Sequence, residues 1–491
     1  MGWLLLQAAL VSLLAIYLAF SKHAREAVLR RLPLRRRRDS GARTPPRSLT
    51  PDVKEKDAIP APDYRNVFPP SRRCAFRECH HDVAAKLNKS PEELAESPAD
   101  SRDRCVIIDQ PFHEADPSRY TCTEFSVEEI RALGDFPDYA ALSGVPLPKP
   151  YEDFDITKAK PRPYRPFRWA YHQTMSLTKM EPDWWLELES TYVERIHQRR
   201  ELYKKYGKSV LDNLPGSELA CKELMEMCLA FVVARYPQHF ELDKEKMLFH
   251  NRLLNTTSKL KEEEPLHVIL NNIPEDFAIM LRDAETGGYV FRAGVICSSL
   301  GWNLGTKMGM KLYEIHEPIP DYKEKMQFSM DRYFAKKPTD KAIQRGSWGL
   351  EVDQPLFMPP GDPHEQHRGV QHEDLELSRL NLRVDWQTLR RLPLSGAVIF
   401  NFKGLFTPVE EFRDEPYIPS LLLKVLRDGK RSLMEYKNTW HTEHKVIPAM
   451  EAYQKEQIEK GLIAANWEPH TLEESPFFPG WEEKWHRQQG Y

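Results

Sequence analysis

Phe277-Ala-Ile-Met-Leu-Arg-Asp-Ala-Glu-Thr-Gly-Gly-Tyr-Val-Phe-Arg-Ala-Gly-Val-Ile-Cys297 is the stretch that decides the fold. Both ends are apolar, aromatic or β-branched, and Thr286-Gly287-Gly288 lies between them where a chain reversal needs positive φ. The pattern predicts strands from Phe277 to Arg282 and from Tyr289 to Cys297, joined as an antiparallel hairpin. Working outward, Ile343 to Val352, Leu382 to Leu389 and Ala397 to Phe402 read as further strands, the last two separated by the turn residues Pro393-Leu394-Ser395-Gly396. The spacers are long and strand does not alternate regularly with helix, which favours a mostly antiparallel sheet with flanking helices, an α+β domain.

Helices are expected on either side of these strands. Asp183 can cap a helix carrying Trp185, Leu188, Tyr192 and Ile196 at three- and four-residue steps. A second, largely buried helix is expected from Ser217 to Arg235, and two more from Tyr417 to Arg427 and from Pro448 to Lys460, the last opening on its proline. Residues 75–160 read as irregular chain wrapped on the core, 161–465 as the main domain and 466–491 as a tail.

The first 74 residues have a different character. Trp3 to Phe20 is an apolar run near the lower length for a bilayer span, followed by Lys22, Arg25, Arg30, Arg31 and Arg35 to Arg38. Positive charge after the run, with none before it, predicts a single-pass transmembrane anchor over residues 1–21 and a cytosolic body, the endoplasmic reticulum being the expected membrane. Residues 22–74 read as a basic, proline-rich linker. The net charge of −3 hides this asymmetry, because ten basic residues oppose only Glu26 and Asp39 through Arg47, leaving an acidic body. An acidic body argues against nucleic acid as a partner. Seven dispersed cysteines form no disulfide framework, and Cys74, Cys79, His80 and His81 lack a second ligand pair at zinc spacing.

The sequence contains no G-x-G-x-x-G after a strand, no phosphate loop of the G-x-x-x-x-G-K-[ST] type and no G-x-S-x-G elbow. A bound nicotinamide, ATP chemistry and acyl transfer by an activated serine therefore lack support. Gly301 to Gly309, followed by Ile315-His316-Glu317-Pro318-Ile319-Pro320, sets one imidazole outside a regular helix in a frame stiffened by two prolines. That imidazole fits either a structural turn or a metal ligand.

The segments Tyr171-His172-Gln173-Thr174-Met175-Ser176-Leu177, Pro274-Glu275-Asp276-Phe277, Trp302 to Gly309, Ile315 to Pro320, Arg345-Gly346-Ser347-Trp348 and Leu382 to Pro393 resemble, in order and spacing, the haem-dependent oxidative N-demethylase alpha-subunit family. The resemblance covers about residues 160–450 and is nearest to a fungal, membrane-anchored branch. It implies a PAS-like fold around haem b, with electrons from NADPH arriving through a separate flavin and iron-sulfur reductase. It also implies a haem-dependent oxygenase or oxidase that activates dioxygen at iron to oxidise a small organic substrate. Asp385-Trp386 and Ile399 to Lys403 depart from the family's usual residues, which bears on the substrate more than on the haem.

Under that resemblance His316 is the expected axial iron ligand, with His172 second. Arg345, Arg383 and Lys307 are candidates for the haem propionates, since guanidinium and ammonium groups suit carboxylates. Trp302 and Trp348 are candidates to pack on the macrocycle, and Asp385, Gln387 and Glu275 to supply catalytic polar groups near bound oxygen. Two other functions compete: a non-catalytic haem sensor or carrier, and a membrane-tethered glycosyltransferase suggested by the anchor and by Asp153-Phe154-Asp155. His364 and His367, in a proline-rich loop, are expected to be solvated.

Overall fold

The computed structural model describes residues 63–79, 81–105, 110–170 and 175–490. The predicted anchor, most of the basic linker and His172 lie outside the described residues. Among those described, no helix is long and apolar enough to cross a membrane.

Among the described residues ten strands form two antiparallel sheets. β1 (Thr178–Lys179), β2 (Leu211–Asn213), β6 (Asp276–Arg282), β7 (Tyr289–Val295), β8 (Ile343–Val352), β9 (Leu380–Arg391) and β10 (Val398–Pro408) make a seven-stranded sheet in the order β1-β8-β9-β10-β6-β7-β2. β3 (Phe240–Asp243), β4 (Leu248–Asn251) and β5 (Thr256–Lys259) make a small meander. The expected α+β class with a mostly antiparallel sheet is what the chain adopts. β6 and β7 pair as the expected hairpin. At its turn Gly287 has φ +69°, and a Cβ there would run into the backbone of Tyr64.

Because side chains alternate along a strand, register sorts the sheet residues onto two faces. Phe277 and Ile279 share one face with Ala293, Val295 and Ile399, and all are buried. Helices α1 (Tyr192–Tyr206), α2 (Glu218–Arg235) and α3 (Pro265–Asn272) contribute to that core cluster. Further along the same face Leu382, Val384 and Trp386 meet residues of Ile418–Asp428 and Trp440–Glu459. Burying each such aliphatic side chain contributes about 2 kcal/mol. The opposite face carries a smaller cluster, including Met280, Leu389 and Val398. It does not fill that face.

Three helix expectations need correction. The helix expected from Asp183 begins at Tyr192; residues 182–184 form a 3-10 turn, and Trp185 and Leu188 are buried without belonging to α1. The final long helix starts at Trp440 and carries Pro448 inside it, with Val446 and Met450 buried in the face that holds it in place. His316 is the last residue of a short helix, Leu312–His316, where the sequence suggested irregular chain.

Candidate functional site

On the underfilled face, side chains that a central sheet ordinarily buries are left partly open. Phe400 and Phe402 of β10 are half-buried, as are Arg345 and Ser347 of β8, and Asp385 is the one residue of β9 that is not buried. Register explains why they converge. Arg345 pairs with Gln387, Gln387 with Phe402 and Phe402 with Asp276, so one cross-strand row spans four strands on this face.

The row forms one wall of a cavity of about 300 Å³, or about 1280 Å³ of unfilled space counting its open mouth. Such a space suits a ligand of cofactor size. The facing wall comes from residues 298–302, from α4 (Leu304–Lys307) and α5 (Leu312–His316), from Ile319 and Phe334, and from Tyr436. Asp276 anchors the start of that wall. Its Oδ2 accepts the backbone N–H groups of Cys297 and Ser298 at 2.8 and 2.7 Å and the Ser298 hydroxyl at 2.5 Å, while Oδ1 pairs with Arg199.

His316 lies on this wall. The His316 Nδ1–H donates to the Leu312 carbonyl at 2.7 Å, which leaves Nε2 as the lone-pair nitrogen of a neutral ring. Tyr322 stacks on the imidazole at 5.3 Å with an interplanar angle of 16° and fixes its plane. Burial, reinforced by Arg345 and Lys307, pushes the imidazole down to about 4 despite the Leu312 bond. A neutral imidazole with one nitrogen spent on a carbonyl is the usual form of a histidine metal ligand.

Lys307 and Trp302 also line the cavity, with the ammonium 4.2 Å from the indole centroid. The ammonium makes no ion pair among the described residues, and burial pushes it down to about 8. Gln387 has a buried Oε1 with no hydrogen-bond partner among the described residues, an arrangement that costs stability unless a ligand supplies a donor. Trp302 meets Phe402 edge-on at 6.4 Å, and Phe400 and Phe402 sit 4.5 Å apart.

The cavity therefore brings together His316, Arg345, Lys307, Trp302, Asp385 and Gln387. Three other expected site residues lie elsewhere. Arg383 gives Nη1 to the carbonyls of Pro355 and Leu356 at 2.6 and 3.1 Å and Nη2 to that of Ser298, and binds Asp385 through Nε and Nη2 at 3.0 and 2.8 Å. With its donors spent, it is a clamp that aims Asp385. Trp348 is buried in the core of the other face, edge-on to Phe167 at 5.1 Å. Glu275 is buried behind the sheet, accepts the Glu187 N–H at 3.1 Å, and is pushed up by burial to about 7.

The competing motifs have local explanations. Asp155 accepts the Thr157 N–H and hydroxyl, closing its own turn. His364 and His367 are half-buried, in contrast to the expected solvated pair, with rings 4.9 Å apart and His364 Nε2 bonded to the Val352 carbonyl. Among the described residues no group of three or more His, Cys, Asp or Glu side chains is arranged to hold a metal ion. An iron held by one imidazole inside a macrocycle needs no such group.

Phe400, Phe402, Ile296 and Tyr436 were not anticipated as site residues. The two phenylalanines had a signal, their two-residue spacing on a strand; Tyr436 had none, since it arrives from a helix some fifty residues beyond the nearest sheet residue of β9 that it faces.

Residues 176–447 match the family model described as haem-dependent oxidative N-demethylase, alpha subunit-like. The chain belongs to that family. The match contains every cavity residue named above. As a member of the family the chain is a haem-dependent, oxidative-demethylase-like protein, and the donor set of the cavity fits that group: a neutral imidazole, cations for carboxylates and an aromatic wall.

Proposed function

We propose that this N-demethylase-like protein holds haem b in the cavity through His316 Nε2 and oxidises a small organic substrate there. The observation that carries the reading is the unspent Nε2 of a neutral imidazole on the wall of a half-apolar cavity. Arg345 and Lys307 take the propionates, and Trp302 packs on the macrocycle. Haem bound in this way supplies the redox chemistry, accepting electrons and activating dioxygen.

The chain's own residues do the rest. The Leu312 carbonyl holds the His316 tautomer, and Tyr322 restricts its rotation. Phe400 and Phe402 exclude water from the sheet side and give the substrate an apolar bed. Gln387 Oε1 accepts a hydrogen bond from the substrate, and Asp385, oriented by Arg383, holds or passes a proton at the cavity edge. Oxidation at an N-methyl carbon with loss of formaldehyde is the reaction this arrangement serves. Its electrons come from NADPH through a separate flavin and iron-sulfur reductase, since the sequence lacks nucleotide motifs of its own.

The seven-stranded antiparallel sheet with helices on its faces supports a PAS-like reading of residues 161–465 as the haem domain. The apolar run Trp3 to Phe20 and its basic flank support a single-pass tether at the endoplasmic reticulum membrane with a cytosolic body. Turnover separates this reading from a haem sensor or carrier. The haem-loaded chain, supplied with electrons and oxygen, should release formaldehyde when N-methyl amines are added; haem uptake without substrate-dependent product in a screen of such amines contradicts the enzymatic reading.

A further inference from the structure

A second cavity, of about 480 Å³, opens where the end of β10 meets residues 160–165, residues 189–191 and the helix Trp481–Gln488. Five cations line it, Lys160, Arg162, Arg165, Arg195 and Lys484, against three carboxylates, Glu189, Glu411 and Glu415. Their pairing decides which charges are available.

Arg165 and Lys484 are spent. Arg165 binds Glu415 through Nε and Nη2 at 2.7 Å each, and Lys484 donates to the Glu411 carbonyl, to Asp414 and to Glu415 at 2.8, 2.6 and 3.1 Å. Glu189 lies 3.8 Å from Lys403 and 3.5 Å from Arg195, so it is already shared. Lys160 makes no ion pair among the described residues. Arg162 gives Glu187 its backbone N–H at 2.8 Å and, from the guanidinium, Nε alone at 3.4 Å, and it stacks 4.1 Å above the Trp184 ring. Arg195 gives Nη2 to the Gly404 carbonyl at 2.9 Å, leaving Nη1 and Nε without a hydrogen-bond partner among the described residues.

Arg162 and Arg195 are each paired with one carboxylate, at 3.4 and 3.5 Å, yet keep guanidinium N–H groups to spare, and with the unpaired Lys160 beside the half-buried ring of Phe406 they describe a site an anion completes. We propose that this cavity binds a small organic anion with a flat unsaturated body, its carboxylate or phosphate taken by Arg162, Arg195 and Lys160 and its body lying on Phe406. The Arg383 guanidinium sits 5.6 Å from the Phe406 ring and also holds Asp385, so it touches one lining residue of each cavity.

Trp184 beneath Arg162, with Trp485 5.9 Å from it, gives the readout. AMP, benzoate, adenosine and inorganic phosphate are titrated into the full chain while tryptophan emission is followed. AMP and benzoate should give saturable changes, adenosine none, and phosphate alone a response at least tenfold weaker than AMP. Replacing Arg162→Ala and Arg195→Ala together should weaken AMP binding by roughly tenfold or more, and His316→Ala should leave it unchanged. If the double variant fails to fold, Lys160→Glu, at an exposed side chain, should weaken AMP and benzoate alike. Absence of a saturable response to AMP and benzoate, adenosine binding as tightly as AMP, phosphate alone matching AMP, or variants binding like the wild type would each overturn the site.

Discussion

His316 donates its Nδ1–H to the carbonyl of Leu312, one helical turn earlier, at 2.7 Å. That bond determines which nitrogen remains available, and it does so before any cofactor arrives. The ring enters the folded state neutral, oriented and stacked on Tyr322.

Acidification should release the cofactor. The folded-state value of His316 is about 4, below the ordinary 6.5, so in the window between them the unfolded chain carries a proton that the fold does not. Stability from this group is intact above about pH 6.5 and falls as pH drops toward 4. Haem retention measured by absorbance should fall over the lower part of that window, and imidazole added to His316→Ala should follow its own, higher titration.

Lys307 gives the opposite limb. Burial holds its ammonium down to about 8, and an anionic propionate beside it would restore the charge, so binding should take up a proton when the pH is above 8. Affinity for hemin should therefore fall as pH rises from 8 to 10, and Lys307→Met should flatten that dependence while weakening binding several-fold. An undiminished slope in Lys307→Met would exclude the lysine as an anchor.

Arg383 and Asp385 should separate stability from chemistry. Arg383→Ala strands three carbonyls and the Asp385 carboxylate, costing about 3 kcal/mol by denaturant titration, and lysine, lacking the planar fork, should not restore it. Asp385→Asn keeps the shape and the Oδ1 acceptor but leaves the buried Arg383 cation without its carboxylate, so it should cost less stability than Arg383→Ala while lowering turnover.

Removing the stranded acceptor of Gln387 should have two signs. Gln387→Leu should stabilise the empty protein by about 1 kcal/mol and raise the KM for substrate, because the same Oε1 is a liability without a ligand and a contact with one. Equal melting temperatures with unchanged KM would show that Oε1 meets neither.

Close approach of Tyr164 to β8 makes a structural prediction. A Cβ on Gly346 would lie 2.5 Å from the Tyr164 ring, so Gly346→Ala should cost about 2 kcal/mol through overpacking and disturb the neighbouring Arg345.

Much of this architecture was legible in the sequence because strands write their period plainly. β8 has the expected ends, the Gly287 hairpin forms as expected, and α2 follows its apolar run within a residue. The meander of β3, β4 and β5 was not seen, since four-residue strands such as Thr256–Lys259 carry mostly polar residues and no pattern long enough to read. The Trp185 and Leu188 spacing matched a helix by coincidence; both are buried by a chain that becomes helical only at Tyr192.

Within the site, parity was the missing information. Motifs drew attention to Glu275 and Trp348, whereas the cavity is lined by their neighbours Asp276 and Ser347, because a one-residue step on a strand crosses to the other face. Arg383 has the same parity as Asp385 and Gln387, yet it lies one step too far along β9 and meets the carbonyls of residues 298, 355 and 356. Spacing identifies a strand; pairing across strands decides which side chains share a cavity.

On the proposed function, the imidazole of His316 holds haem in this cavity. The most direct measurement is the absorption spectrum of the full chain, expressed with haem supply, beside that of His316→Ala. A Soret band is expected in the wild type, lost or displaced in the variant and recovered with added imidazole. A folded wild-type protein that is colourless and takes up no hemin contradicts it, as does a variant whose band matches the wild type.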